Sequence, residues 1–106
     1  MNFYRDLVLP KKIEVNTVFE TETVLAYHHT KPSYPVHIVV IPKAFVDNLL
    51  VLEDEVLTLE LVNAVKIVAK EVTQTHGAAK IITNLGAYQD SKHLHFHVIS
   101  GKPLNS

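Results

Sequence analysis

The 106-residue chain has no cysteine and no tryptophan, and only three glycines. Without thiols there are no disulfides, no thiolate metal sites and no cysteine nucleophile. Ten basic side chains nearly balance eleven acidic ones, for a formal charge of −1. A chain so balanced has no electrostatic footprint for nucleic acid or for a membrane surface, and neither is expected as a partner. No window approaches ~18 uninterrupted apolar residues, so no transmembrane helix is expected. The start, Met1-Asn2-Phe3-Tyr4-Arg5-Asp6, lacks the basic and then apolar regions of a secretory signal. A soluble cytoplasmic protein is the expectation. What is present is 47% hydrophobic residues, enough for an ordinary core and too many for disorder. The length suits a single domain over residues 1–106. No repeat or linker divides it.

Seven histidines are the chain's excess, and three stand at alternate positions in His93-Leu94-His95-Phe96-His97-Val98-Ile99-Ser100. A β-strand has a side-chain period of two, so this pattern predicts three imidazoles on one face, with Leu94, Phe96 and Val98 on the other. Upstream, Asn2 to Leu9 reads as one or two helical turns ending before Pro10. Ile13 to Phe19 and Val24 to His29 read as strands joined by a short polar break. A loop with two prolines, Thr30 to Pro35, leads into Val36 to Ile41, an apolar central strand interrupted by His37. Asp47 to Leu52 predicts a short turn of helix.

Asp54 to Gln74 predicts the main helix. Leu57, Leu61, Ala64, Val65, Val68 and Val72 form its apolar stripe, and Gly77 is placed as a left-handed cap. Its flanks carry Val56, Leu59, Val62 and Ile67, wider apolar coverage than one core contact requires. Either the helix is deeply buried or it forms a subunit interface. Ala78 to Leu85 reads as a further strand ahead of the histidine strand. The order β-β-β-α-β-β predicts an α+β domain with an antiparallel sheet.

Two chemistries suit a row of imidazoles. Neutral imidazole binds zinc, copper or iron, but a third histidine at i+4 lies ~13 Å from the first along an extended strand, too far for easy shared ligation. Alternatively, a histidine can attack phosphorus and form a nucleotidyl-histidine, with neighbours that hold its tautomer and stabilise charge.

The stretch from His93 to Ile99 closely resembles the signature of the histidine triad (HIT) family. The likeness extends to Leu25-Ala26-Tyr27-His28, to Pro35-Val36-His37-Ile38-Val39-Val40-Ile41-Pro42-Lys43 and to Asn84-Leu85-Gly86. It is greatest for the short Hint-type branch of nucleoside phosphoramidases. The resemblance implies a five-stranded antiparallel sheet with one main helix and a short N-terminal helix, a homodimer, and no cofactor or metal. The implied substrate is a nucleotide, a purine nucleoside monophosphate derivative, hydrolysed at its α-phosphate. By the same resemblance His95 is the nucleophile, His97 and His37 contact phosphate oxygens, and His93 orients His95. Asn84 anchors the phosphate-side loop, Ser91 or Asp90 lies near the leaving group, and Tyr27 and His28 line the base and sugar pocket. A nucleotide-binding scaffold with little catalysis and a dinucleoside polyphosphate hydrolase are the alternatives. One position departs from the branch: His29 stands where it usually has an aspartate that accepts from the ribose hydroxyls. Imidazole has a single acceptor nitrogen, so recognition of a 2′,3′-diol is expected to weaken.

Overall fold

The computed structural model describes residues 2–104. Five antiparallel strands form one sheet: β1 (Asn16–Glu20), β2 (Val24–His28), β3 (Val36–Pro42), β4 (Lys80–Ile82) and β5 (Phe96–Ser100). Their order across the sheet is β1-β2-β3-β5-β4. The main helix, α1 (Glu55–His76), connects β3 to β4. Asp54 caps it by accepting from the Leu57 amide at 3.0 Å. Gly77 ends it with φ 85°, in the left-handed region that glycine enters without a Cβ penalty.

The period-two alternation of the strands divides the core in two. On one face Val24, Ala26, Ile38, Val40, Leu94 and Val98 pack against Leu61, Ala64, Val65, Val68 and Val72 of α1. On the other, Leu25, Tyr27, Val39 and Ile41 pack under Tyr4 and Val8 of a wide, π-type N-terminal helical turn, Tyr4–Val8. This turn covers only part of the second face. His37 and His97, on the same parity as Val39 and Ile99, occupy the remainder.

Several element ends differ from the sequence expectation. Strand β1 begins at Asn16, because its partner β2 ends at His28 opposite it. Ile13 and Val15 instead pack at the margin of the N-terminal cluster. A bulge between Thr17 and Phe19 shifts the register. Strand β4 is only three residues long. Beyond Ile82 the Thr83 hydroxyl takes the carbonyl that continued pairing would need, donating to His95 O at 2.8 Å. The histidine strand also starts late, at Phe96. His93 and His95 therefore lie before the ladder, where the Leu94 amide donates to Val46 O at 2.7 Å. Leu94, Phe96 and Val98 still face α1. The expected row of three imidazoles on a regular strand is thus corrected to one imidazole on the strand and two on the irregular lead-in. No helix among the described residues is long and apolar enough to cross a membrane.

Candidate active site

Strand β3 presents His37 and strand β5 presents His97, and the lead-in to β5 places His95 beside them. Ring centroids of His37 and His97 are 5.0 Å apart, as are those of His95 and His97. Hydrogen bonds fix which nitrogen carries each proton. The Ser33 amide donates to His37 Nδ1 at 3.0 Å, so the His37 proton is on Nε2. That nitrogen lies 2.8 Å from His97 Nδ1 and donates to it, which leaves the His97 proton on Nε2. His95 Nδ1 lies 2.6 Å from the His93 carbonyl, so it donates, and Nε2 keeps its lone pair. The only buried side-chain polar atom without a partner among the described residues is Gln89 Oε1. His95 Nε2 and His97 Nε2, which bond to no protein group, therefore reach solvent. The site offers a nucleophilic lone pair beside an N–H donor.

Burial keeps these imidazoles neutral, since it penalises the cation. His37 and His97 are both pushed down from 6.5 to about 4, mainly by desolvation and further by neighbouring imidazoles. His95 is lowered by desolvation, opposed in part by its bond to the His93 carbonyl and by the Asp90 charge. Tyr4 lies over His95 with ring centroids 4.8 Å apart. Its phenol is raised by burial and by Asp90, so it stays protonated.

The remaining expected residues are dispersed. The His93 ring is fully buried and bonds to Pro42 O at 2.9 Å and to Arg5 Nε at 3.1 Å. Its imidazole does not reach His95; its backbone carbonyl does. The Nε2 proton of His37, expected to face phosphate, is directed at His97 here. His28 lies on the opposite face of β2, in a cavity of about 180 Å³ shared with Val72 and His76. It cannot line a pocket at the triad, since residue parity sends it towards α1. Tyr27 is buried beneath the N-terminal turn. Asp90 is exposed, and its charge reaches both His95 and Tyr4. Ser91 is half-buried in the loop before β5 and Asn84 is half-buried just beyond β4, and neither side chain hydrogen-bonds to another described residue.

His29 proves to be a fourth member of the cluster. Its ring lies 4.4 Å from that of His37 and 6.2 Å from that of His97. The Lys31 amide donates to its Nδ1 at 2.9 Å, so its single acceptor is already used and Nε2 presents a proton. Three contributors had no signal in the sequence: Tyr4, Arg5 and Thr83. Each reaches the histidines across a long sequence separation, which no local pattern records. Among the described residues, no three His, Cys, Asp or Glu side chains are placed to hold a metal ion.

The family model for the HIT domain matches residues 10–104. The chain belongs to the HIT domain family. A 13.2 kDa HIT-like protein of Azospirillum brasilense is 37% identical over 102 residues, covering 92% of this chain and 84% of its own. The fold of a Hit-like protein from Bartonella henselae matches with a TM-score of 0.85 at 29% identity, covering 94% of this chain and 75% of that one. A hypothetical histidine triad nucleotide-binding protein from Sulfolobus tokodaii matches at 0.79 and 28% identity, covering 89% and 65%. In HIT terms, the triad here is one strand histidine, His97, bonded to His37, and two lead-in histidines, His93 and His95.

Proposed function

We propose that the protein is a nucleotide hydrolase that attacks the α-phosphorus of nucleoside phosphoramidates or related nucleotides. One observation carries the reading: His95 Nε2 keeps a lone pair towards solvent, in contact with the His97 ring whose Nε2 carries a proton. His95 Nε2 forms a bond to phosphorus as the phosphorus–nitrogen bond of the substrate breaks. The amine leaves with that electron pair and takes up a proton from solvent. Water then attacks phosphorus and gives a proton to solvent, the His95–phosphorus bond breaks with its electron pair returning to Nε2, and nucleoside monophosphate is released. His97 donates to a phosphate oxygen as charge develops there, and His37 holds His97 in the donating tautomer. Asp90, near His95, or Ser91 faces the leaving group, and Asn84 steadies the loop on the phosphate side. The nucleotide-binding relative with the same fold supports the ligand class.

His95→Ala abolishes turnover of an adenosine phosphoramidate, and a nucleotidyl mass increment is trapped on His95 of the native protein. Undiminished turnover by His95→Ala overturns the proposal. A second reading, nucleotide binding with little catalysis, is favoured by the 4% exposure of His95 beneath Tyr4. Binding of a nucleoside monophosphate without turnover across several leaving groups selects it. A second copy of the chain is the proposed partner, docked on the outer face of α1.

A further inference from the structure

We infer that Arg5 is a positioning residue of this site, selecting the His93 tautomer and so holding the carbonyl that aims His95. The inference rests on the proposed nucleophilic role of His95.

His93 and His95 lie before β5 begins, so the sheet ladder does not fix them. Their placement depends on side-chain bonds. His93 Nε2 is 2.9 Å from Pro42 O, and a carbonyl can only accept. The contact is attractive only when the proton sits on Nε2. With the proton on Nδ1, two lone pairs would face each other in a fully buried place, where an unsatisfied acceptor is costly. Arg5 removes that alternative. Its Nε–H points at His93 Nδ1 from 3.1 Å, and guanidinium has donors and no acceptor. A proton on Nδ1 would then meet another proton.

Arg5 is itself held on two sides. Its Nη2 donates to Asp47 at 2.9 Å, and its guanidinium carbon sits 4.7 Å from the centre of the Phe45 ring. The groups around His93 are thus Tyr4 and Arg5 from the N-terminal turn, Phe45 and Asp47 from the segment after β3, the Pro42 carbonyl, and His95. Arg5 also opposes a second proton on His93, adding to the effect of burial. With the ring pinned at both nitrogens, the His93 carbonyl is set at 2.6 Å from His95 Nδ1. A small rotation of residue 93 would turn the His95 lone pair away from phosphorus. Misplacement of that kind costs on the order of 10- to 100-fold in rate.

The test compares Arg5→Met and Arg5→Lys with the native protein by nitrogen-15 NMR of the histidine rings and by turnover of an adenosine phosphoramidate. In the native protein His93 is expected as the pure Nε2–H tautomer. In Arg5→Met its ring nitrogens shift towards a tautomer mixture, the His95 signals move with them, and kcat falls roughly 10-fold or more with KM within about twofold. Arg5→Lys, which keeps a donor, restores the native tautomer and most of kcat. An unchanged His93 tautomer in Arg5→Met overturns the inference whatever turnover does, and so does a changed tautomer with kcat within about twofold of native. If the native protein turns over no phosphoramidate, the functional proposal fails. The ring spectra then decide alone, with unmoved His95 signals counting against Arg5. If Arg5→Met does not fold, Arg5→Leu, which likewise has no donor, carries the same measurements.

Discussion

His29, His95 and His97 each have one ring nitrogen committed to a partner and His37 has both, and the commitments from His29 to His97 follow one proton order. Backbone amides of Lys31 and Ser33 feed His29 and His37, His37 feeds His97, and His95 gives its proton to a carbonyl. Adding a proton to His37 or His97 therefore breaks a hydrogen bond as well as burying charge. Both groups titrate near 4 in the fold against 6.5 when free. Between those values the unfolded chain binds more protons, so stability rises with pH there and is lost as pH falls from 6.5 towards 4. Thermal midpoints measured across that window drop steadily in the native protein and less steeply in His37→Ala or His97→Ala. Equal slopes in all three would contradict the assignment. By the same logic the acid limb of kcat/KM lies well below 6.5. At His29 the single acceptor is used by Lys31, which leaves no acceptor nitrogen for ribose hydroxyls. Matched ribo- and deoxyribo-phosphoramidates are thus expected to react with kcat/KM values within a few-fold. His29→Asp supplies two acceptor oxygens and is expected to favour the ribo substrate. A strong native preference for ribose would refute this reading.

Elements were legible where their causes are local. Asp54 and Gly77 mark the ends of α1 because a capping oxygen and a left-handed φ are chemistry within one turn. Asp54→Ala removes the bond to the Leu57 amide and costs about 1 kcal/mol, read as a lower denaturation midpoint at unchanged slope. The alternation of residues 93–98 placed Leu94, Phe96 and Val98 together on one face, and that face meets α1. What it could not tell is where pairing begins, since Thr83 and Val46 decide that from 12 and 48 residues away. The His93 ring was illegible for the same reason, its partner Arg5 lying 88 residues upstream. Gly101 shows the tertiary limit from another side. Its φ is 88°, and a Cβ there would approach Pro35 Cγ to 2.8 Å. Gly101→Ala is expected to lose roughly 1–3 kcal/mol, since backbone strain and the clash add at one turn.

At the scale of the molecule, the two faces of the sheet have different fates. One is closed by α1; the other is half closed by the N-terminal turn and half open at the histidines. The outer surface of α1 remains apolar, with Val56, Leu59, Val62 and Ile67 between 44 and 69% exposed. Deep burial within one chain, one of the two options left open by the sequence, is thereby excluded for these residues. Beside them runs a groove of about 700 Å³ between α1 and β4, where Ile67, Ala69 and Ile81 are flanked by polar residues that include Lys66 and Lys70. Strand β4 is a sheet edge, so its outer backbone groups have no strand partner. An apolar helix face continuous with a free edge is self-complementary under a two-fold axis. A second copy that buries about 800 Å² on each chain would satisfy both features. Sedimentation of the native protein is expected at twice the 11.9 kDa chain mass. Ile67→Glu places a carboxylate in the middle of that face, where burial without a partner is costly. It is expected to shift the species to the chain mass and leave the far-ultraviolet circular dichroism of the fold intact. A native protein that sediments as a monomer at tens of micromolar would overturn the proposed dimer, and a dimer unmoved by Ile67→Glu would place its surface elsewhere.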